Sequence, residues 1–225
     1  MYLLHYPMKF DKDRFYVTVD AIVFTILNNE LKIIIIKRKI PPFKGSFALP
    51  GGFVNLDEDL YSAAERELKE ETGVSNIILK KLKPFGKVGR DPRGRVITIP
   101  YLAIISGKNV KLHSTTDAEL AKWHPVYKLP KLAFDHKEII SYALSKLRSE
   151  IEKSNIAFQI IPKKFTLTEL QKVYEIILDK KLDKRNFRKK VKELLILKEL
   201  DELKMEGAHR PARLYSFKLR EYRKF

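Results

Sequence analysis

One stretch constrains the chain more than any other: GGFVNLDEDLYSAAERELKEETGV, residues 51–74. Glycines open it and nearly close it, and its middle has helical spacing. Asp59 puts a carboxylate where the positive end of a helix is stabilised by one. Gly73 can take the left-handed backbone that closes a helix. Leu60, Ala64 and Leu68 recur every four residues and give the helix one apolar stripe. Glu67, Glu70 and Glu71 stand at i, i+3 and i+4 and share another face. Like charges so placed cost a helix roughly 0.2–0.5 kcal/mol per pair. Two readings explain them: a solvated acidic face offset by Arg66 and Lys69, or a site for a hard divalent cation. Mg2+ prefers carboxylate oxygens and commonly completes its shell with substrate phosphates.

The full pattern favours the second reading through a resemblance. Gly52, Glu58 and the run Arg66-Glu67-Leu68-Lys69-Glu70-Glu71-Thr72-Gly73-Val74 resemble the Nudix box, and every fixed position of that pattern is filled. The resemblance implies a Nudix α/β/α sandwich with a mixed sheet. It also implies that Glu67, Glu70 and Glu71 are metal ligands, that Arg66 orients a glutamate by a salt bridge, and that Glu58 assists near the metals. These five are the candidate catalytic residues. The family cleaves a diphosphate that joins a nucleoside to another group. An all-carboxylate donor set argues for Mg2+ or Mn2+ over zinc.

Around this stretch the chain reads as α+β. Residues 14–27 and 31–38 are β-branched and aromatic, hence strands. Asn28 and Asn29 supply a tight turn between them. Residues 77–87, 96–106 and 122–126 predict further strands, and residues 134–151 a helix. The segment 89–95, GRDPRGR, is a loop by its Gly and Pro, and its arginines suit an anion. The string GRDPRG resembles a loop of Nudix proteins that handle ADP-ribose-like ligands. Arg90 and Arg93 are therefore candidate ligand contacts, with Gly51, Gly52 and Lys44; an exposed hairpin tip is the competing reading of the loop. Phe43, Lys37 and Arg38 are further candidates to face the ligand, with a structural role as their simpler reading.

The chain has 225 residues, which suits one large domain or two small ones. It contains no cysteine, which excludes disulfides, thiol catalysis and cysteine-bound zinc. The first residues lack the pattern of a signal peptide. The longest purely aliphatic run, residues 33–36, is far too short to span a membrane. A cytoplasmic protein with no membrane partner is expected. The net charge is +17, which directs attention to phosphate-rich partners. Residues 151–225 hold 20 Lys and Arg against 11 Asp and Glu, so this last third carries +9 of the +17.

That basic third has its own pattern. Thr168 is placed to cap a helix over 169–178, and Asp183 to cap another over 184–197. On the second helix Phe187, Val191, Leu194 and Leu195 fall on one side, and Arg185, Arg188, Lys189 and Lys192 on the other. Cations in the N-terminal half oppose the helix dipole by roughly 0.3–1 kcal/mol each, so helix stability does not explain them. The N-terminal end of a second helix is what enters the major groove in a helix-turn-helix. Strands over 198–205 and 213–219, with a tip over 206–212, complete a winged helix. Lys184, Arg185, Arg188, Lys189, Lys192, Arg210 and Arg213 are the candidate DNA contacts; a solvated lysine face is the alternative.

The segments IAFQIIPKKFTLTELQKVYE, DKRNFRKKV and HRPARLYSF, with LAFDHKEII at 132–140, resemble the NrtR family, Nudix-related transcriptional regulators of NAD metabolism. The resemblance implies a Nudix domain over 1–150 that senses ADP-ribose or a related sugar ligand. It implies a winged helix-turn-helix over 155–225 that binds a palindromic double-stranded operator as a homodimer. Many members of that family have a decayed box; this one is intact, so Mg-dependent hydrolysis of ADP-ribose, with the C-terminal module as an accessory, stands as the alternative function.

Overall fold

The computed structural model describes residues 13–107, 110–113, 118–205 and 211–225, with the side chains of residues 118 and 119 excepted. Contacts divide the chain into two compact units. The first is formed by the described residues of Met1–Val23, Ile34–Ala103 and Lys111–Ile140; the second by those of Phe24–Ile33, Ile104–Val110 and Ser141–Phe225.

Strands β1 (Phe15–Leu27) and β2 (Glu30–Arg38) pair antiparallel, with Leu27 opposite Glu30. Asn28 and Asn29 turn the chain at φ 54 and 61, the left-handed region that a tight hairpin requires. Val19, Ile22, Phe24 and the run Ile33 to Ile36 are buried, so both strands are covered on both faces. Such continuous burial explains why their sequence is apolar rather than alternating. Short strands β3 (Phe47–Ala48) and β4 (Gly51–Phe53) precede helix α1 (Leu60–Thr72). Strands β5 (Lys80–Lys81), β6 (Arg95–Ile104) and β7 (Ala118–Pro125) follow, then helix α2 (His136–Lys153). The larger sheet runs β3-β2-β1-β6-β5, with β4 also on β1 and β7 also on β2.

In the second unit β8 (Phe165–Thr166) leads into α3 (Leu167–Leu178), then α4 (Lys184–Glu193), β9 (Leu197–Lys204) and β10 (Ala212–Phe217). The three strands form one sheet in the order β8-β10-β9. Its core is aromatic: Phe217 lies 5.3 Å from Phe165 and 6.5 Å from Phe158. Tyr174 of α3 meets Phe187 of α4 edge to face at 5.2 Å and joins the helices. Among the described residues no helix is long and apolar enough to cross a membrane.

Three local expectations are corrected, and a fourth lies mostly outside the described residues. Residues 77–87 give a strand only at Lys80–Lys81 and an isolated bridge from Phe85 to Thr98. The cap of α3 is Thr166, not Thr168: its hydroxyl accepts from the Glu169 N–H at 3.1 Å while Glu169 Oε2 accepts from the Thr166 N–H at 2.7 Å. That reciprocal capping box satisfies two orphan donors at once, an advantage Thr168 lacks. Helix α4 stops at Glu193, because Leu195 turns left-handed at φ 52 and the chain passes into β9. The tip predicted over 206–212, with Arg210, lies mostly outside the described residues.

Candidate functional site

The carboxylate site of the first unit starts from how α1 is fixed. Asp59 caps it, accepting from the N–H groups of Tyr61 and Ser62 at 2.8 Å each. Gly73 ends it at φ 74. Ala63, Ala64 and Leu68 bury its apolar stripe. The opposite side carries Arg66, around which the acids gather. Its guanidinium donates to Glu58 at 2.9 and 2.6 Å, to Glu67 Oε1 at 2.8 Å, to Glu70 Oε2 at 3.3 Å and to the Phe53 carbonyl at 3.1 Å. The Asn55 N–H also holds Glu58, at 2.9 Å.

The two glycines before α1 make room. A Cβ on Gly52 would stand 2.3 Å from Glu67 Oε1, and one on Gly51 would stand 2.1 Å from the Val19 carbonyl oxygen. Only glycine allows either approach. The Gly51 N–H donates to Glu71 Oε2 at 2.8 Å. Their visible work is to seat Glu67 and Glu71.

The electrostatics are uneven. The hydrogen bond from Arg66 holds the Glu58 carboxyl below its ordinary range. Burial pushes the Glu67 carboxyl up, against the pull of Arg66. Arg66 itself is pushed up, chiefly by its bond to Glu58. One guanidinium serves three carboxylates, which leaves negative charge in excess. That excess, and a donor set made of oxygens alone, fit a hard divalent cation. The three box acids do not meet at one point here: Glu67 and Glu70 turn to Arg66, and Glu71 to Gly51. Among the described residues no group of three acids or histidines is gathered to hold a metal. The residues therefore fit a cation by charge and chemistry, with Glu67, Glu70 and Glu71 as those that would hold it. A depression lined by Glu65, Arg66, Lys69, Glu70, Ser75 and Asn76 opens beside them.

The arginine loop divides in two. Arg90, read from sequence as a ligand contact, is instead buried, with its side chain 4% exposed. Asp135 clasps its guanidinium at 2.7 and 2.9 Å. A charge so enclosed needs a partner of this kind, and Asp135 answers the need. Asp20 lies 4.0 Å away and accepts from the Thr98 hydroxyl at 2.6 Å. His136 joins the same network: Nδ1 accepts from the Leu49 N–H at 2.9 Å and Nε2 stands 3.5 Å from Asp20. Burial pushes the His136 pKa down, so the ring is neutral, with its proton on Nε2. Arg93 stays half-buried. It pairs with Asp91 at 2.7 Å and stacks over Phe53 at 5.0 Å and Phe134 at 5.7 Å. Lys44 is exposed in the loop before β3. Asp20, Phe134, Asp135 and His136 were not singled out from sequence. The three last sit inside LAFDHKEII, and no spacing rule links them to Arg90.

In the second unit α3 and α4 meet through a fixed turn. Asp179 caps α3 at φ 55, the Leu182 N–H donates to Glu175 at 2.9 Å, and Gln171 Nε2 donates to the Leu182 carbonyl at 2.9 Å. Asp183 accepts from the Asn186 N–H at 2.8 Å and caps α4. Phe187 and Val191 bury one side of α4; Lys184, Arg185, Arg188, Lys189 and Lys192 are exposed. Lys204 of β9 ties back to Glu169 of α3 at 2.7 Å. Arg213 on β10 pairs with Glu199 on β9 at 2.9 Å.

Residues 17–143 match the NUDIX domain family, and residues 157–217 match the NrtR DNA-binding winged helix domain. The chain is 37% identical over 209 residues to the ADPR responsive transcriptional repressor NtrR of Acinetobacter baylyi, covering 91% of this chain and 83% of that one. The chain belongs to the NrtR family. In structure this NrtR-family chain is similar to Shewanella oneidensis NrtR crystallised with a 27mer DNA: TM-score 0.76, 34% identity, 90% of this chain and 93% of that one. Its first part is also 43% identical over 129 residues to an ADP-ribose pyrophosphatase of Methanocaldococcus jannaschii, 57% of this chain and 75% of that one. Nudix relatives generally use divalent metals.

Proposed function

We propose that this NrtR-family chain is a ligand-responsive transcriptional regulator of the cytoplasm. A Nudix domain within residues 1–150 binds ADP-ribose or a related nucleotide-type ligand. A winged helix within 155–225 binds a palindromic double-stranded operator, as one half of a homodimer. The observation that carries the reading is α4: six exposed cations, Lys184, Arg185, Arg188, Lys189, Lys190 and Lys192, on a capped helix that buries Phe187 and Val191. Such a helix meets phosphates and base edges of a major groove. Arg213, on β10, and Arg210 are assigned as wing contacts to the DNA backbone. The similarity to a repressor and to a DNA-bound NrtR along nine-tenths of the chain supports the same reading.

The filled box favours a second activity, hydrolysis of the ligand. Mg2+ or Mn2+, when bound at Glu67, Glu70 and Glu71, supplies an acidified water and neutralises phosphate charge. The chain's residues set the stage. Arg66 holds Glu58 and Glu67 at fixed positions, and the Gly51 N–H holds Glu71. Glu58, kept ionised by Arg66, can accept a proton beside the metal ligands.

Two assays test the readings. Changing Arg188 and Lys189 to Ala is expected to weaken DNA binding and flatten its salt dependence; unchanged affinity and slope would reject α4 as the interface. Glu70→Gln is expected to abolish Mg2+-dependent release of AMP from ADP-ribose. Unchanged turnover would exclude Glu70 as an essential ligand.

A further inference from the structure

Phe43, Phe134, Arg38 and Arg93 meet beside the carboxylate site. Phe43 and Phe134 pack edge to face, with centroids 4.9 Å apart. The Arg38 guanidinium lies 5.0 Å from the Phe134 ring, and that of Arg93 5.7 Å from it. Both phenylalanines have left-handed backbones, at φ 61 and 52. A bulky side chain takes that region only when its surroundings force it, and residues so held gather at ligand clamps.

The forcing contacts are visible. Around Phe43 the Gly45 N–H donates to the Arg38 carbonyl at 2.9 Å and the Ser46 N–H to the Phe43 carbonyl at 3.0 Å. Arg38 Nε donates to the Pro42 carbonyl at 2.8 Å. Phe134 lies between Ala133, whose N–H donates to the Phe47 carbonyl at 2.8 Å, and Asp135, which clasps Arg90. Yet Phe43 remains 43% exposed. Packing does not explain a ring that is strained, fixed and open to solvent. The cluster also borders the box: Arg93 stacks on Phe53, whose carbonyl Arg66 holds at 3.1 Å. A ligand with its diphosphate at the box can therefore extend its far end to these rings.

We propose that Phe43 and Phe134, flanked by Arg38 and Arg93, form a stacking site for the planar base of a nucleoside diphosphate ligand. The proposal rests on reading the first unit as a nucleotide-ligand site. An aromatic face suits the base, and the guanidinium planes suit either the base or its phosphates.

The test is calorimetric titration of the full chain, in Mg2+, with ADP-ribose, ADP and ribose 5-phosphate. Phe43→Ala is expected to weaken ADP-ribose and ADP by about tenfold, the loss of one base stack, and to leave ribose 5-phosphate unchanged. Phe43→Tyr is expected to keep the affinity of the native chain. Phe43→Gly removes the backbone strain, so its melting midpoint is expected to match or exceed the native one while base affinity still falls. That opposition excludes misfolding as the cause. Native affinity for ADP-ribose in both the Ala and the Gly variants would overturn the stacking site and leave the ligand reading intact. An equal loss of ribose 5-phosphate and ADP-ribose would also overturn it. A native chain that binds neither ADP-ribose nor ADP would overturn the ligand reading, and the stacking site with it.

Discussion

The box site and helix α4 are both crowded with charge, and they use it in opposite ways. In the first unit two arginines turn inward: Arg90 is enclosed by Asp135, and Arg66 is shared among Glu58, Glu67 and Glu70. On α4 the cations turn outward, and among the described residues no ion pair reaches Lys184, Arg185, Arg188, Lys189 or Lys192. An arginine sequence motif thus has two physical meanings. Where acids are within reach it builds a frame. Where they are not it leaves a positive field, which a polyanion can answer by releasing counterions.

The comparison breaks most visibly at Arg90. Arg90→Ala strands the Asp135 carboxylate in the interior and is expected to cost about 3–5 kcal/mol of stability, read as a fall in denaturation midpoint. A loss below about 0.5 kcal/mol, the size typical of surface changes, would mean that Arg90 is not part of the frame. A smaller effect of opposite sign is expected at Glu67. Its raised pKa means that ionised Glu67 opposes folding. Its favourable contribution is complete below the ordinary value of 4.5 and is lost as pH rises through the higher folded value. Glu67→Gln without metal is therefore expected to gain about 1 kcal/mol at neutral pH, and the gain should shrink as pH falls toward 4.5. A variant that is less stable at every pH would contradict this account of the site. The smallest stability effect belongs to α4. Changing Arg188 and Lys189 to Ala is expected to move stability by no more than about 0.5 kcal/mol, while the slope of log affinity against log salt falls by about 2 if each meets one phosphate. A large fall in melting midpoint would place these two in the frame instead.

The same contrast explains what could be read from sequence. The box helix was legible because its signals are local: the Asp59 cap, the Gly73 stop and the four-residue stripe lie within one stretch. Helix α4 was legible for the same reason, from Asp183 to Val191. The Arg90–Asp135 pair was not, because 45 residues separate its members and either alone looks like a surface charge. Read alone, the loop arginine suggests an anion contact, and only the fold supplies the acid that encloses it. Phe43 is legible as a residue beside the ligand, but its edge-to-face contact with Phe134 is not, since that contact joins two loops. The sequence suggests Thr168 as the cap although Thr166 takes the role, since the two stand two residues apart and only the Glu169 geometry separates them. The segment 77–87 has strand composition but pairs only at Lys80–Lys81 and Phe85, so composition overstated it.

The most direct test of the central claim is selection of duplexes from a random pool by the full chain, near physiological salt, with and without ADP-ribose and Mg2+. The account predicts enrichment of one palindrome, with recovery that changes when ADP-ribose is added. Absence of any enriched sequence would contradict it, and would leave hydrolysis at the box as the function to pursue.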